Sequence, residues 1–240
     1  TLEIRGVMGF IRAEPASGRE VEVTATKTAD HSDVNEVRIE VVQEGGDVTI
    51  CAVYPGNGNS CERGDGENHV RGHNDVHVDF TVRVPPGVNF HGSAVSGDVS
   101  ATGLTGTVEL TSVSGDVSGT ALTGRADFNS VSGDVILETA SGEASARSVS
   151  GNVRATVRGN ATAPLRFSSV SGDLTISLPR DIGADIEMSS VSGEMASDFP
   201  LTLGAGGRVR RSHLRARIGE GGRALNLSTV SGDVRLRALP

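Results

Sequence analysis

The chain has 240 residues and a formal net charge of −8, with 32 glycines, 3% aromatic residues and no tryptophan. The acidic balance argues against nucleic acid as a partner, because neutralising phosphates requires a basic surface. No apolar run approaches the 18 residues of a membrane-spanning helix, and no secretory signal is visible. The chain opens at Thr1 in a strand-like pattern without an initiator Met, so we expect a processed mature form or a trimmed piece of a longer chain.

Residues 1–90 alternate between polar and apolar residues without a regular repeat. Two strand-like runs, 37–41 and 47–51, flank a pair of glycines, which is typical of a β-hairpin. The run 75–84 alternates for ten residues and should turn one apolar face inwards: Val76, Val78, Phe80, Val82 and Val84. We interpret residues 1–90 as an antiparallel β unit that caps the repeats of a second domain, residues 91–240.

Two cysteines, Cys51 and Cys61, flank a loop rich in glycine and asparagine. Their spacing favours one disulfide over a redox or zinc motif, because no Cys-x-x-Cys is present. A disulfide indicates a compartment outside the cytoplasm, such as the periplasm, the outer face of a membrane or the cell surface.

The phrase Val-Ser-Gly-Asp-Val begins at Val95 and returns every 18 residues, with a fainter copy halfway between. The period lengthens to 21 residues towards residue 193. Apolar residues two positions apart indicate strands, and the glycine indicates a bend. The pattern predicts an all-β fold, a parallel β-helix or solenoid with about 18–21 residues per coil.

The solenoid model predicts two interior columns, one from each valine of the phrase. The first column holds Val95, Val113, Val131, Val149, Val170, Val191 and Val230. The second holds Val99, Val117, Val135, Val153, Leu174, Met195 and Val234. On this register Val131→Asp should destabilise the fold strongly.

The bend residues of the phrase should form a structural ladder. Its members are Gly97, Asp98, Gly115, Asp116, Gly133, Asp134, Gly172, Asp173, Gly232 and Asp233. We expect the acids to cap backbone donors, and a hydroxyl ladder of Ser96, Ser114, Ser132 and Ser150. The alternative is calcium bound between coils, as in β-rolls whose repeat is Gly-Gly-x-Gly-x-Asp, but here the acid follows a single glycine. We expect no cofactor.

The end of the chain is basic, with eight arginines and two acids after residue 200. A strand with an arginine-rich outer face is expected within residues 208–218. Its arginines and one that follows are candidates for binding a protein partner: Arg208, Arg210, Arg211, Arg215, Arg217 and Arg223.

Other chemistry is weakly supported. His69, His73 and His77 recur every four residues and could bind Zn²⁺ or Cu²⁺, although a solvated polar surface explains them better. No Gly-x-Ser-x-Gly elbow or phosphate-binding loop occurs. We therefore expect that the protein is not an enzyme.

Four stretches carry a family resemblance: the recurring Ser-Val-Ser-Gly-Asp-Val, residues 48–55, residues 82–87 and residues 227–236. Together they resemble the bacterial putative-adhesin repeat family, related to the head-GIN group. The resemblance implies a secreted or envelope-associated β-helical domain without catalytic residues.

Two functions outside catalysis follow. The first is an envelope or periplasmic scaffold or accessory subunit that makes protein–protein contacts, docked on a larger membrane-bound complex through its arginine-rich end. The second is a secreted or surface adhesin that binds glycan or protein. A Ca²⁺- or Zn²⁺-binding sensor module is a third and weaker alternative.

Overall fold

The computed structural model describes residues 1–56, 59–61, 74–140, 143–159, 163–203, 209–210 and 212–240, and for 209–210 only the backbone. Its regular structure is almost entirely strand, with one 3-10 turn at Val34–Glu36. In this described part of the chain, no helix is long and apolar enough to cross a membrane.

Six strands precede the regular repeats. They are β1 (Leu2–Arg5), β2 (Ile11–Pro15), β3 (Glu22–Thr28), β4 (Arg38–Glu44), β5 (Asp47–Val53) and β6 (His77–Val84).

Ten strands form the regular repeats. They are β7 (Phe90–Ser96), β8 (Val99–Thr102), β9 (Val108–Ser114), β10 (Val117–Leu122), β11 (Ala126–Ser132), β12 (Val135–Thr139), β13 (Ala144–Ser150), β14 (Val153–Val157), β15 (Leu165–Ser171) and β16 (Leu174–Leu178).

Six strands complete the chain. They are β17 (Ala184–Ser192), β18 (Met195–Ser197), β19 (Val209–Arg210), β20 (His213–Ile218), β21 (Arg223–Ser231) and β22 (Val234–Ala238).

Two sheets face each other across the interior. Among the described residues, sheet 1 has 12 strands in the order β19-β20-β17-β21-β15-β13-β11-β9-β7-β1-β5-β4. Sheet 2 has 10 strands in the order β18-β22-β16-β14-β12-β10-β8-β2-β6-β3. Each coil contributes one strand to each sheet, and neighbouring coils pair in parallel, so the predicted solenoid is confirmed.

The interior is a narrow aliphatic core between the sheets. The second predicted column lies here, because Val99, Val117, Val135 and Val153 are fully buried. Large and small side chains share some columns of the stack, as in the sheet 1 neighbours Leu110, Phe128, Ala146 and Phe167. Such mixing helps the side chains to interlock at close packing. A Cβ on Gly119, for example, would overlap the ring of Phe128.

Coils at both ends of the stack are out of chain order. The coil of β1 and β2 lies between the coil of β5 and β6 and the coil of β7 and β8. At the other end, the coil of β21 and β22 lies between the coil of β15 and β16 and the coil of β17 and β18. Both chain termini are therefore one level inside the stack.

Antiparallel strands close the ends of the stack. At the amino-terminal end, β4 pairs with β5 as the predicted hairpin, and β3 pairs with β6. At the other end, β20 pairs with β17, and β19 folds back on β20. The single strand expected within residues 208–218 is therefore wrong, because β19 and β20 are two strands that pair antiparallel. The N-terminal region also contributes two parallel coils, in addition to the expected antiparallel cap.

Candidate interaction surface

The first predicted column of valines is wrong, because these side chains face solvent. Six of them are 44–47% exposed and Val191 is 74% exposed. We call this set the outer valine row. In stack order it is Val95, Val113, Val131, Val149, Val170, Val230 and Val191.

A buried hydroxyl one residue before the valine explains the reversal. Strand β9 buries Val108, Leu110 and Ser112 in strict alternation, so Val113 must face outwards. The Ser112 hydroxyl donates to the carbonyl oxygen of Gly97 in the preceding coil, at 2.9 Å. The inward position at the corner is thus used by a small polar side chain.

The same hydrogen bond recurs in successive coils at 2.9–3.0 Å. Its donors are Ser112, Ser130, Ser148, Ser169, Thr229 and Ser190. The predicted hydroxyl ladder of Ser96, Ser114, Ser132 and Ser150 is instead exposed. The sequence contained the signal, since a Ser or Thr precedes the valine in six copies of the phrase. The prediction instead used the serine that follows the valine.

The glycines of the phrase stack backbone against backbone. A Cβ on Gly115 would overlap the carbonyl oxygen of Gly97, and a Cβ on Gly133 would overlap that of Gly115. At Gly115 and Gly133 the requirement for glycine is close approach and not a left-handed conformation, because neither has a left-handed φ.

The acidic residues of the phrase form a second ladder at the same corner, and we call it the acid row. In stack order it is Asp98, Asp116, Asp134, Asn152, Asp173, Asp233 and Glu194. Each of the last six donates its backbone N–H to the side-chain oxygen of the residue before it in the row, at 2.8–3.0 Å. The side chains therefore bond the coils to one another.

Some members of the acid row are also paired with arginines. Asp134 binds Arg154 at 2.9 Å, and Arg235 contacts both Asp173 and Asp233. Burial by itself would raise the pKa of Asp134, but hydrogen bonds from Asn152 and Arg154 outweigh it and lower that pKa. Within the described residues, Asp98, Asp116 and Glu194 have no ion pair and are exposed.

An additional copy of the phrase precedes the repeats. Residues 7–11 have the spacing of Val-Ser-Gly-Asp-Val, and Gly9 stacks against Gly97 as the other glycines do. Phe10 takes the place of the acid and contacts the Arg12 guanidinium, 5.2 Å from the ring centre. Met8 and Phe10 replace the serine and the acid, so only Gly9 and the flanking aliphatic residues identify this copy in the sequence.

Two arginines of the arginine-rich end form ion pairs within the chain. Arg215 pairs with Glu187 at 2.8 Å, and Arg217 pairs with Asp185 at 2.9 Å. Hydrogen bonds from Arg217 and the Gly222 N–H hold the pKa of Asp185 below its usual range. These pairs stabilise the contact between β20 and β17 and reduce the free positive charge.

Arg223 cannot bind a partner in this structure, so that assignment is wrong. Its side chain is 2% exposed and points into the core, and its three nitrogens have no hydrogen-bond partner among the residues that the structure describes. Burial lowers the pKa of the guanidinium. Arg208 and Arg211 lie outside the described residues, and the side chain of Arg210 is not described.

The two cysteines form a disulfide, which ties the end of β5 to the loop that follows. Of the candidate metal ligands, His77 is exposed on β6, and His69 and His73 lie outside the described residues. Where the structure describes the chain, no three His, Cys, Asp or Glu side chains are close enough to hold a metal ion.

Comparison with known families identifies the fold. The family model of Toastrack DUF4097 matches residues 17–237. The chain belongs to this family. The stacked coils of β7 to β16 lie within the matched residues and are therefore part of a Toastrack DUF4097 domain.

Two solved structures are similar to the chain. A putative cell adhesion protein from Clostridium sporogenes is 12% identical, covers 99% of this chain and 92% of its own, and has a TM-score of 0.36. A putative adhesin from Bacteroides fragilis is 16% identical, covers 98% and 91%, and has a TM-score of 0.46. No curated protein matches the chain.

Proposed function

We propose that this Toastrack domain is a non-catalytic scaffold outside the cytoplasm that binds a protein partner through the outer valine row. The observation that carries the proposal is the continuity of this row, which exposes one valine from each of seven stacked coils. Scattered exposed apolar residues need no explanation, but a contiguous apolar strip on a soluble surface is typical of an interaction site.

Rigidity supports the same function. Two kinds of contact fix the corner of each coil against the next. Buried hydroxyls donate hydrogen bonds to glycine carbonyl oxygens, and the glycine backbones lie in close contact. A partner that binds such a strip pays little entropy for ordering it. The Cys51–Cys61 disulfide favours the periplasm, the cell surface or the outer face of a membrane.

The proposed contact surface differs from the arginine-rich end. Since Arg215 and Arg217 are ion-paired and Arg223 is buried, this end offers less free charge than its composition suggests. The outer valine row suits a protein partner better than a glycan, because apolar side chains form the buried centre of protein interfaces. A membrane-bound complex remains the partner class we propose.

The test compares two variants with equal loss of exposed aliphatic surface residues. The first carries Val113→Ser, Val131→Ser and Val149→Ser in the outer valine row. The control carries Val41→Ser, Ile136→Ser and Leu203→Ser, which remove exposed aliphatic side chains elsewhere. Each protein is immobilised and exposed to a detergent extract of cell envelopes, and the captured partner is then purified and titrated.

We expect the wild type and the control to bind the partner with equal affinity and the row variant to bind at least about tenfold more weakly. Equal affinity of all three proteins would contradict the proposal, as would a partner that the control variant alone fails to bind.

A further inference from the structure

We propose that the outer valine row binds an amphipathic, cationic α-helix of a partner protein, laid along the axis of the stack. This inference rests on the proposed function and adds the shape and charge of the partner. It is carried by two features of the surface, namely the spacing of the valines and the charge of the row beside them.

The spacing of the valines fits a helix. Paired strands lie about 4.8 Å apart, so the seven valines span roughly 29 Å. The apolar stripe of an α-helix has a residue every three or four positions, which is about 5.2 Å along its axis, and about 20 residues cover the row. An extended strand places same-face side chains roughly 6.7 Å apart and loses register within a few coils.

The charge beside the valines is asymmetric. On one flank is the acid row, three residues after each valine and so within about 10 Å of it along the chain. On the other flank the outward residues are mostly neutral: Ser93, Thr111, Asn129, Arg147, Ser168, Ser189 and Ser228. A helix with lysines or arginines on one side of its apolar stripe complements both flanks.

The unpaired acids indicate where the cations would bind. Asp98 and Asp116 lie in adjacent coils, are exposed and have no ion pair among the described residues. The Oδ1 of Asp98 accepts the backbone N–H of Asp116, and the Oδ1 of Asp116 accepts that of Asp134. The second carboxylate oxygen of each is left for a cation of the partner. Asp134, the next member of the acid row, is already paired with Arg154 and should therefore contribute less.

A second copy of the chain is a poorer occupant than a cationic helix. A row-to-row dimer would bring a second acid row to the contact, and each copy carries a formal net charge of −8. Like charges at an interface oppose association, particularly at low salt.

The experiment uses a designed 20-residue helical peptide as the probe. It carries leucines at helical i, i+3, i+4 and i+7 spacing, lysines on one side of the leucine stripe and glutamines elsewhere. The control peptides are one with glutamates in place of the lysines and one with the same composition in scrambled order. Binding to the full chain is measured by fluorescence anisotropy at several salt concentrations, and self-association is measured by sedimentation.

We expect the lysine peptide to bind at least about tenfold more tightly than either control peptide. The Val113→Ser, Val131→Ser and Val149→Ser variant should lose this binding, whereas the Val41→Ser, Ile136→Ser and Leu203→Ser variant should keep it. Asp98→Asn with Asp116→Asn should weaken binding and reduce its dependence on salt.

Three results would overturn the inference: equal binding of the scrambled peptide, equal binding by the row variant, or a dimer of the wild type that the row variant abolishes. The outcome is separable from that of the envelope capture. If capture depends on the valine row but the lysine peptide does not bind preferentially, the helix is wrong and the docking surface stands. If capture does not depend on the row, the proposed function fails as well.

Discussion

The outer valine row and the inner aliphatic row (Val99, Val117, Val135, Val153, Leu174 and Val234) come from the same five-residue phrase and have opposite environments. Val135 is fully buried, whereas Val131 is 45% exposed. They are four positions apart, and a glycine bend lies between them. The comparison shows that a repeat identifies equivalent positions in successive coils, but the side that each position faces depends on hydrogen bonds at the corner.

The largest contrast should come from placing a charge in each row. Val135→Asp buries a carboxylate without a partner and should cost more than about 4 kcal/mol of unfolding free energy. Val131→Asp leaves the carboxylate in water and should cost less than about 0.5 kcal/mol. Urea denaturation followed by circular dichroism measures both, and equal midpoints would show that the assignment of the two rows is mistaken.

The glycine between the two rows can be tested next. Gly133→Ala places a methyl group against the carbonyl oxygen of Gly115 and should cost roughly 2–4 kcal/mol, because the coils must move apart. Gly18→Ala is the control, since nothing lies within 4 Å of its added methyl group. Thermal unfolding should separate the two variants clearly, and similar melting temperatures would contradict close backbone stacking.

The two serines on either side of Val131 offer a smaller contrast. Ser130→Ala removes the hydroxyl that donates to the Gly115 carbonyl at 3.0 Å and should cost about 1 kcal/mol. Ser132→Ala removes an exposed hydroxyl and should be nearly neutral. If Ser132→Ala is the more destabilising change in a chemical denaturation series, the hydroxyl ladder has been assigned to the wrong serine.

Acid should produce the smallest effect. The pKa of Asp134 is lower in the folded chain than in the unfolded chain, so its contribution is present above about pH 4 and is lost as pH falls through the folded value. Asp134→Asn should therefore reduce the loss of stability on acidification, whereas Val131→Ser should leave it unchanged. Melting temperatures between pH 2 and pH 7 test this, and identical acid profiles for Asp134→Asn and wild type would argue against the pairing with Arg154.

Periodicity was sufficient to predict the solenoid and the inner aliphatic row. Alternation at Val117 and in the run 75–84 indicates strands whatever the neighbouring coil contains. It could not assign Val113, because Ser112 and Val113 compete for one inward position and hydrophobicity favours the valine. The hydrogen bond to Gly97 decides the competition, and its acceptor is 15 residues away in the sequence.

The repeat pattern also could not predict the long-range order of the strands. The repeat between residues 184 and 234 is consistent with stacking in chain order, and nothing local indicates that β21 inserts between β15 and β17. Likewise, the composition of the arginine-rich end does not reveal that Arg215 and Arg217 face acids on β17. Both facts depend on which strands become neighbours, which a local pattern does not specify.

The insertion of β21 and β22 has a consequence for biosynthesis. A nascent chain that leaves the ribosome from its N-terminus cannot complete the stack by adding coils in order, because the final coil occupies a level between two earlier ones. Until that coil arrives, β15 and β17 each present an unpaired edge, and such edges pair readily with other chains. A product that stops before β21 would therefore be prone to aggregate, because the facing edges of β15 and β17 would stay open.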